Sequence, residues 1–272
     1  MRRGREALGV GREAWARLVV MVMLCLPLLT ARAADPFRPD PLKSGIDFVG
    51  AEIRALQNDD FSSPAMLWVT RGEKLWSEPA GAANKSCASC HQDARVSMKG
   101  VSARYPKVDA SAKKLFNVEA RINQCRTQHQ QAEPLKYESQ ELLGLAAYVG
   151  LQSRGQLIST AIDEQNRAYF ERGKNLFYTR IGQMNLACTH CHDRNFGRKL
   201  LNDTVSQGHP NGYPGYRIEW QTMGSLHRRL RACFFGVRAE LPAAGSQDLL
   251  DLELFLAWRA QGLKVEVPGV RR

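Results

Sequence analysis

No stretch of this 272-residue chain approaches the roughly 20 consecutive apolar residues of a transmembrane helix. The longest apolar run, Leu18 to Leu29, has 12 residues, so no membrane span is expected in the mature protein. Strand signals are nearly absent. Segments of alternating apolar and polar residues bounded by turns do not recur, which argues against a β-sandwich or barrel. Acidic residues are in deficit: 27 Asp and Glu face 38 Lys and Arg, a formal charge of +11.

The short apolar run has its own explanation. Arg2, Arg3, Arg5, Arg12 and Arg17 precede or open it, and Ala31-Arg32-Ala33 follows. That order reads as a secretory signal cleaved near Ala33, leaving Ala34 as the mature N-terminus. An uncleaved anchor is the alternative. Export to the periplasm removes nucleic acid from the expected partners. Loss of residues 1–33 takes away six arginines and two glutamates and lowers the formal charge to +7. A mildly basic surface suits an acidic protein partner or an anionic substrate. Cleavage also removes Cys25 and leaves six cysteines.

Four of the six lie in two pentads, Cys87-Ala88-Ser89-Cys90-His91 and Cys188-Thr189-His190-Cys191-His192. Cys-x-x-Cys-His attaches c-type haem: the two thiols form thioethers and the histidine becomes the proximal iron ligand. Two such boxes predict two covalently bound c-type haems held by Cys87, Cys90, Cys188 and Cys191, with His91 and His192 on the irons. Haem attachment of this kind takes place outside the cytoplasm, in keeping with the export signal.

The chain repeats itself at a period of about 100 residues. Arg71-Gly72-Glu73-Lys74-Leu75-Trp76 and Arg172-Gly173-Lys174-Asn175-Leu176-Phe177 each start 16 residues before their box. Tyr105-Pro106 matches Tyr213-Pro214, Arg121-x-x-x-Cys125 matches Arg229-x-x-x-Cys233, and Ser139-Gln140-Glu141-Leu142-Leu143 matches Ser246-Gln247-Asp248-Leu249-Leu250. The second repeat is about seven residues longer, and the Gly/Pro/Asn-rich stretch 207–215 reads as the inserted loop. The expected fold is all-α, two tandem cytochrome c-like domains from an internal duplication. Each has a first helix (65–76; 167–177), a haem box, a long loop, a middle helix with the spare cysteine (112–127; 222–238) and a closing helix (139–151; 246–261). Leu249, Leu252, Phe255 and Leu256 give the last of these an apolar face. The boundaries expected are a signal at 1–33, an N-terminal extension at 34–64, domain 1 at 65–153, a linker over 152–160 and domain 2 at 160–272. Within the extension, 48–57 could form a short amphipathic helix that packs on the first domain or on a partner.

The sixth iron ligand decides whether a haem carries electrons or does chemistry. A ligand common to both haems should occupy matching positions. Met98, Met184 and Met223 do not match one another, and neither do His129 and His227. Cys125 and Cys233 do, so the reading is a thiolate on each iron. A Cys125–Cys233 disulfide, which an oxidising compartment allows, and buried free thiols are the alternatives. A thiolate is anionic and electron-donating. It favours Fe(III), lowers the reduction potential and fills the sixth site. Arg229 lies one helical turn before Cys233, on the same face, and a guanidinium fork suits an oxyanion. Arg228, Arg231 and Arg238 add positive charge there. A solvated basic face, or pairing with haem propionates, is the alternative. Arg121 occupies the same place in the first repeat among neutral neighbours, Asn123 and Gln124, so the second site is expected to be the reactive one.

These residues resemble the SoxA family, dihaem cytochrome c subunits of the bacterial thiosulfate-oxidising Sox system. The resemblance rests on Ser44-Gly45-x-Asp47-Phe48, Asp59-Asp60-Phe61, Met66-Leu67-Trp68-Val69, both haem boxes, Cys125, and Ser225-Leu226-His227-Arg228-Arg229 leading to Cys233. It implies L-cysteine S-thiosulfotransferase activity: a periplasmic heterodimer with SoxX, a monohaem cytochrome c, couples thiosulfate oxidatively to a cysteine of the carrier SoxYZ. The product is a cysteine S-thiosulfonate, and two electrons pass to a c-type cytochrome acceptor. It implies His/Cys ligation of both haems, Cys233 as the catalytic cysteine passing through a persulfide, Arg229 as substrate-binding residue, and a first haem (His91, Cys125) remote from the reaction. Two alternatives remain: a tetrathionate-forming thiosulfate dehydrogenase, and a dihaem electron carrier without turnover, which would use Met or His as sixth ligand.

Overall fold

The computed structural model describes residues 35–272. The apolar run and the expected cleavage site lie outside the described residues. The chain is mostly helical, and the repeats of the sequence reappear as repeats of structure. Helix α1 spans Ala51–Asn58, α2 Met66–Ser77, α3 Cys87–His91, α4 Val118–Cys125, α5 Gln140–Leu151, α6 Arg167–Tyr178, α7 Cys188–His192, α8 Leu226–Gly236 and α9 Gln247–Arg259.

Each repeat is built on a crossed helix pair, α2 with α5 and α6 with α9. Helix α2 buries Val69, Gly72 and Trp76, and α6 buries Phe170, Gly173 and Phe177, one residue per turn on a single face. The glycines mark the crossings. A Cβ on Gly72 would lie 2.0 Å from the carbonyl oxygen of Gly144, and one on Gly173 would lie 1.9 Å from that of Asp251. The helices therefore meet backbone to backbone, and the Arg-Gly pairs of the sequence repeat are the contact points. Around the first crossing pack Val69, Trp76, Leu143, Ala147 and Tyr148. Around the second pack Phe170, Phe177, Leu249, Leu252, Phe255 and Leu256, so the apolar face expected on the last helix is buried.

Four details differ from the sequence expectations. First, short strands interrupt the helices. β1 (Lys107–Asp109) pairs antiparallel with β2 (Lys114–Phe116), and β3 (Lys199–Leu200) with β4 (Asp203–Thr204). β5 (Gly215–Arg217) pairs antiparallel with β6 (Thr222–Gly224) and parallel with β7 (Gly269–Arg271). Strands of two or three residues are too short to leave an alternation in the sequence. Second, the middle helices start later than expected, at Val118 and Leu226, because the hairpins β1–β2 and β5–β6 occupy the preceding residues. Third, residues 152–160 are no loose linker. Ser153, Ile158 and Thr160 are buried, and backbone bonds run from Gly155 to Val265 and from Ile158 to Leu263. Fourth, the N-terminal extension, whose Ile53 and Leu56 pack on the cluster that holds Val69 and Trp76 of the first repeat, is tied to the second repeat as well. Gln207 bonds Lys43 and Pro41, Asn211 donates to Ser44 at 2.9 Å, and Gln57 accepts from the Val270 amide at 3.0 Å.

The repeats meet through a buried polar cluster at matching positions. Glu119 and His227 stand six residues before Cys125 and Cys233, respectively. His227 Nε2 lies 2.9 Å from Glu253, Nδ1 accepts from the Gly245 amide at 3.0 Å, and the ring stacks on Tyr137 with centroids 5.6 Å apart. Asn117 caps α4 and donates to Glu253 at 3.1 Å, while Ser225 caps α8 and donates to Glu138. Burial first, and Glu253 second, push the Glu119 carboxyl up to about 7. Burial alone would lower the His227 pKa, but Glu253, Glu119 and Glu138 outweigh it and the shift is upward.

Candidate functional site

Both haem boxes form single helical turns. Ser86 caps the first, accepting the Ser89 amide at 3.1 Å, and this sets the turn that brings Cys87, Cys90 and His91 to one side. The His91 ring rests 5.8 Å from Trp76, whose Nε1 donates to the Gln92 carbonyl at 2.9 Å. In the second box His192 is held more firmly. Its Nδ1 lies 2.8 Å from the Ser206 carbonyl, so the ring donates there and its orientation is fixed. Gly208, at φ +75°, presses its backbone on the same ring: a Cβ there would stand 3.0 Å from the imidazole. The loop 205–209 thus holds His192 from two sides.

Cys125 and Cys233 are free thiols, so no disulfide joins them. Each sits with the box of its own repeat. Cys125 lies in the electrostatic reach of Cys87 and Cys90, and Cys233 in that of Cys188, Cys191 and His192. Two thiols, an imidazole one turn on and a further thiol from another helix form a donor set that fits a covalently attached haem with an axial thiolate. Among the described residues no cluster of three or more His, Cys, Asp or Glu forms a site for a bare metal ion.

The two thiols differ in their environment. Burial pushes the Cys125 thiol up, with Arg121 only partly offsetting it. Burial acts on Cys233 in the same sense, but Arg229, then His192 and Arg217, outweigh it and bring the thiol down to about 7. The cause is visible in the arginines. Arg121 is fully engaged: Nη2 bonds Asp109 at 2.6 Å, Nε the Tyr105 hydroxyl at 3.2 Å, and Nη1 Gln124. The Arg229 guanidinium has no hydrogen-bond or ion-pair partner among the described residues, and its largest electrostatic influence is Cys233. A half-buried guanidinium with no partner among the described residues, one turn from a thiol of lowered pKa, can hold an anion.

Of the other arginines singled out in the sequence, Arg228 stacks on Trp220 at 4.3 Å, and Arg238 lies two residues beyond the end of α8, at φ +57°. Sequence reasoning missed the Asp109–Arg121 pair and the clamp on His192. The first joins residues twelve apart through a hairpin. The second is signalled only by the glycine of the inserted loop.

A helical chain with Cys-x-x-Cys-His turns and opposing thiols defines a c-type cytochrome with covalently bound haem. Residues 71–158 match the family described as SoxA/TsdA, cytochrome c domain. The chain is 43% identical over 249 residues to the L-cysteine S-thiosulfotransferase subunit SoxA of Pseudaminobacter salicylatoxidans, covering 91% of this chain and 87% of the relative. It is 39% identical over 238 residues to the SoxA subunit of Paracoccus pantotrophus, covering 88% and 81%. The crystal structure of SoxXA from P. pantotrophus superposes with a TM-score of 0.82 at 38% identity, covering 85% of this chain and 87% of that one. The chain belongs to the SoxA family of L-cysteine S-thiosulfotransferase subunits.

Proposed function

We propose that this chain is the catalytic subunit of a periplasmic L-cysteine S-thiosulfotransferase. In this reading it carries two haems, bound by Cys87, Cys90 and His91 with Cys125, and by Cys188, Cys191 and His192 with Cys233. Domain 1 spans residues 65–153 and domain 2 residues 160–272, after an exported signal and the extension 34–64. A SoxX-like monohaem cytochrome is the partner, SoxYZ the carrier, and a c-type cytochrome the final acceptor. When bound, the second haem supplies a one-electron acceptor beside the reacting sulfur.

The observation that carries the reading is the asymmetry of the two arginine–cysteine pairs: Arg121 is neutralised by Asp109, whereas Arg229 faces Cys233 unpaired. Arg229 holds the sulfonate end of thiosulfate and directs its outer sulfur at Cys233. The Cys233 thiolate and thiosulfate form an S–S bond and lose two electrons, which the c-type acceptor takes. The carrier thiolate then attacks the outer sulfur, forms carrier–S–S–SO3⁻ and releases Cys233 as thiolate. The net change is one carrier thiol plus one thiosulfate giving one S-thiosulfonate, one proton and two electrons.

The test is product identity. The holo-protein with its monohaem partner, oxidised cytochrome c, thiosulfate and SoxYZ should yield a carrier whose cysteine peptide bears the S–SO3⁻ group by mass spectrometry. Tetrathionate formed from thiosulfate without carrier would assign the chain to the thiosulfate dehydrogenases instead.

A further inference from the structure

The duplication sets one charge reversal at the heart of the two sites. Counting back sixteen residues from Cys125 gives Asp109, and sixteen from Cys233 gives Arg217. The two positions are equivalent in structure as well. Asp109 ends strand β1 and Arg217 ends strand β5, each in a hairpin that leads into the cysteine-bearing helix. Each site also holds the matching tyrosine, Tyr105 or Tyr213. In the first site Tyr105 bonds Arg121 at 3.2 Å, and in the second Tyr213 lies 3.5 Å from Arg217 Nη1.

We infer that Arg217 is a second anion-holding residue of the thiosulfate site, and that the Asp109/Arg217 exchange decides which of the two repeats accepts an anionic substrate. Where the first repeat cancels its arginine with a carboxylate, the second adds another guanidinium. Arg217 is buried, with 6% of its surface exposed. Its Nε bonds Glu219 at 3.0 Å, and its face lies over Trp220 at 5.1 Å. Nη1 reaches only the Tyr213 hydroxyl, and Nη2 has no bonded partner among the described residues. Tyr213, Glu219 and Asp203 act electrostatically on Arg229, so the two guanidiniums share one neighbourhood; of its two carboxylates Glu219 is paired to Arg217 and Asp203 to Arg272. The Glu219 carboxylate is 43% exposed and screened by water. With Glu219 on Arg217 and Asp203 on Arg272, Arg229 is left without an ion pair beside Cys233, whereas Arg121 beside Cys125 is paired with Asp109. A dianion with three sulfonate oxygens can accept from both forks at once.

The inference rests on Cys233 and Arg229 forming the thiosulfate site, and its test separates the two. Holo-protein with its monohaem partner is assayed for kcat and KM toward thiosulfate, and thiosulfate is titrated against the resting protein by the visible spectrum, which needs no turnover. Arg217→Gln should raise KM and the spectral Kd about tenfold or more, as loss of a charged hydrogen bond does. Arg217→Lys should recover part of that loss. Glu219→Gln, which frees Arg217, should shift both constants the other way. Unchanged constants in Arg217→Gln, or a weakening in Glu219→Gln equal to that in Arg217→Gln, would overturn the inference. If Arg217→Gln does not accumulate, Glu219→Gln decides: tighter binding supports the inference and unchanged binding overturns it. In the first repeat, Asp109→Asn should make the spectrum of the first haem respond to thiosulfate, and no response there counts against the exchange. Failure of the wild type to turn over thiosulfate would contradict the function, while the titration still judges Arg217.

Discussion

A methyl group added at Gly173 probes the helix crossing on which the second site is built. Its carbon would lie 1.9 Å from the Asp251 oxygen, 2.4 Å from the Asp251 carbonyl carbon and 3.0 Å from the Leu252 nitrogen. Normal contact between such atoms is about 3.5 Å, and the obstacle is backbone on both sides, so no rotamer change relieves it. Helices α6 and α9 must part by roughly 1.5 Å. Overpacking of this kind costs about 1–3 kcal/mol. The parting also loosens Phe177 and Phe170 against Phe255, whose rings stand 5.3 and 5.5 Å apart, which brings the expected loss to about 3 kcal/mol. For a chain of this size that lowers Tm by roughly 6–12 °C. Gly236→Ala is the control. Nothing lies within 4 Å of a Cβ there, and the residue is helical, so a gain of up to about 1 kcal/mol is expected. Thermal and guanidinium unfolding of the holo-proteins measures both. A Gly173→Ala protein as stable as its parent would refute the close crossing.

The buried cluster between the repeats predicts a pH effect on stability. Glu119 is raised from 4.5 to about 7, so the unfolded chain ionises first and stability falls as pH rises from about 4.5 to about 7. The loss is at most about 3.5 kcal/mol, and Glu119→Gln should flatten that part of the curve of unfolding free energy against pH. A mutant with the parent's slope in that window would contradict the assignment. Low-temperature EPR of the oxidised protein should show low-spin ferric signals of thiolate-ligated haem; signals of Met or His ligation alone would favour a plain electron carrier. Intact mass should show two haems, and a resting persulfide on Cys233 would add about 32 Da.

How much of this could be read from sequence depended on how local the cause was. The haem boxes were legible because covalent attachment fixes the spacing of both cysteines and the histidine. Cys125 and Cys233 stood out as a matching pair, and the Arg-Gly pairs as a repeat, because duplication writes each feature twice; that the glycines mark helix crossings showed only in the structure. The helices followed from apolar spacing over three turns, as with Leu249, Leu252 and Leu256. The hairpins were not legible, since β1 and β5 have three residues each. The placement of the extension depends on polar contacts such as Gln57 with Val270, more than two hundred residues apart. The meeting of Glu119 with His227 and Glu253 places charges that are solvated in the unfolded chain inside the folded one. Arg121 and Arg229 look alike in sequence; only the hairpin that delivers Asp109 to one of them separates their chemistry.

The central claim is that one of two matching cysteines does the work. Cys233→Ser and Cys125→Ser proteins, each exported and carrying two haems by mass, are compared for reduction of cytochrome c by thiosulfate in the presence of SoxYZ. The account predicts that Cys233→Ser loses this activity and Cys125→Ser keeps most of it. Full activity in Cys233→Ser would contradict it.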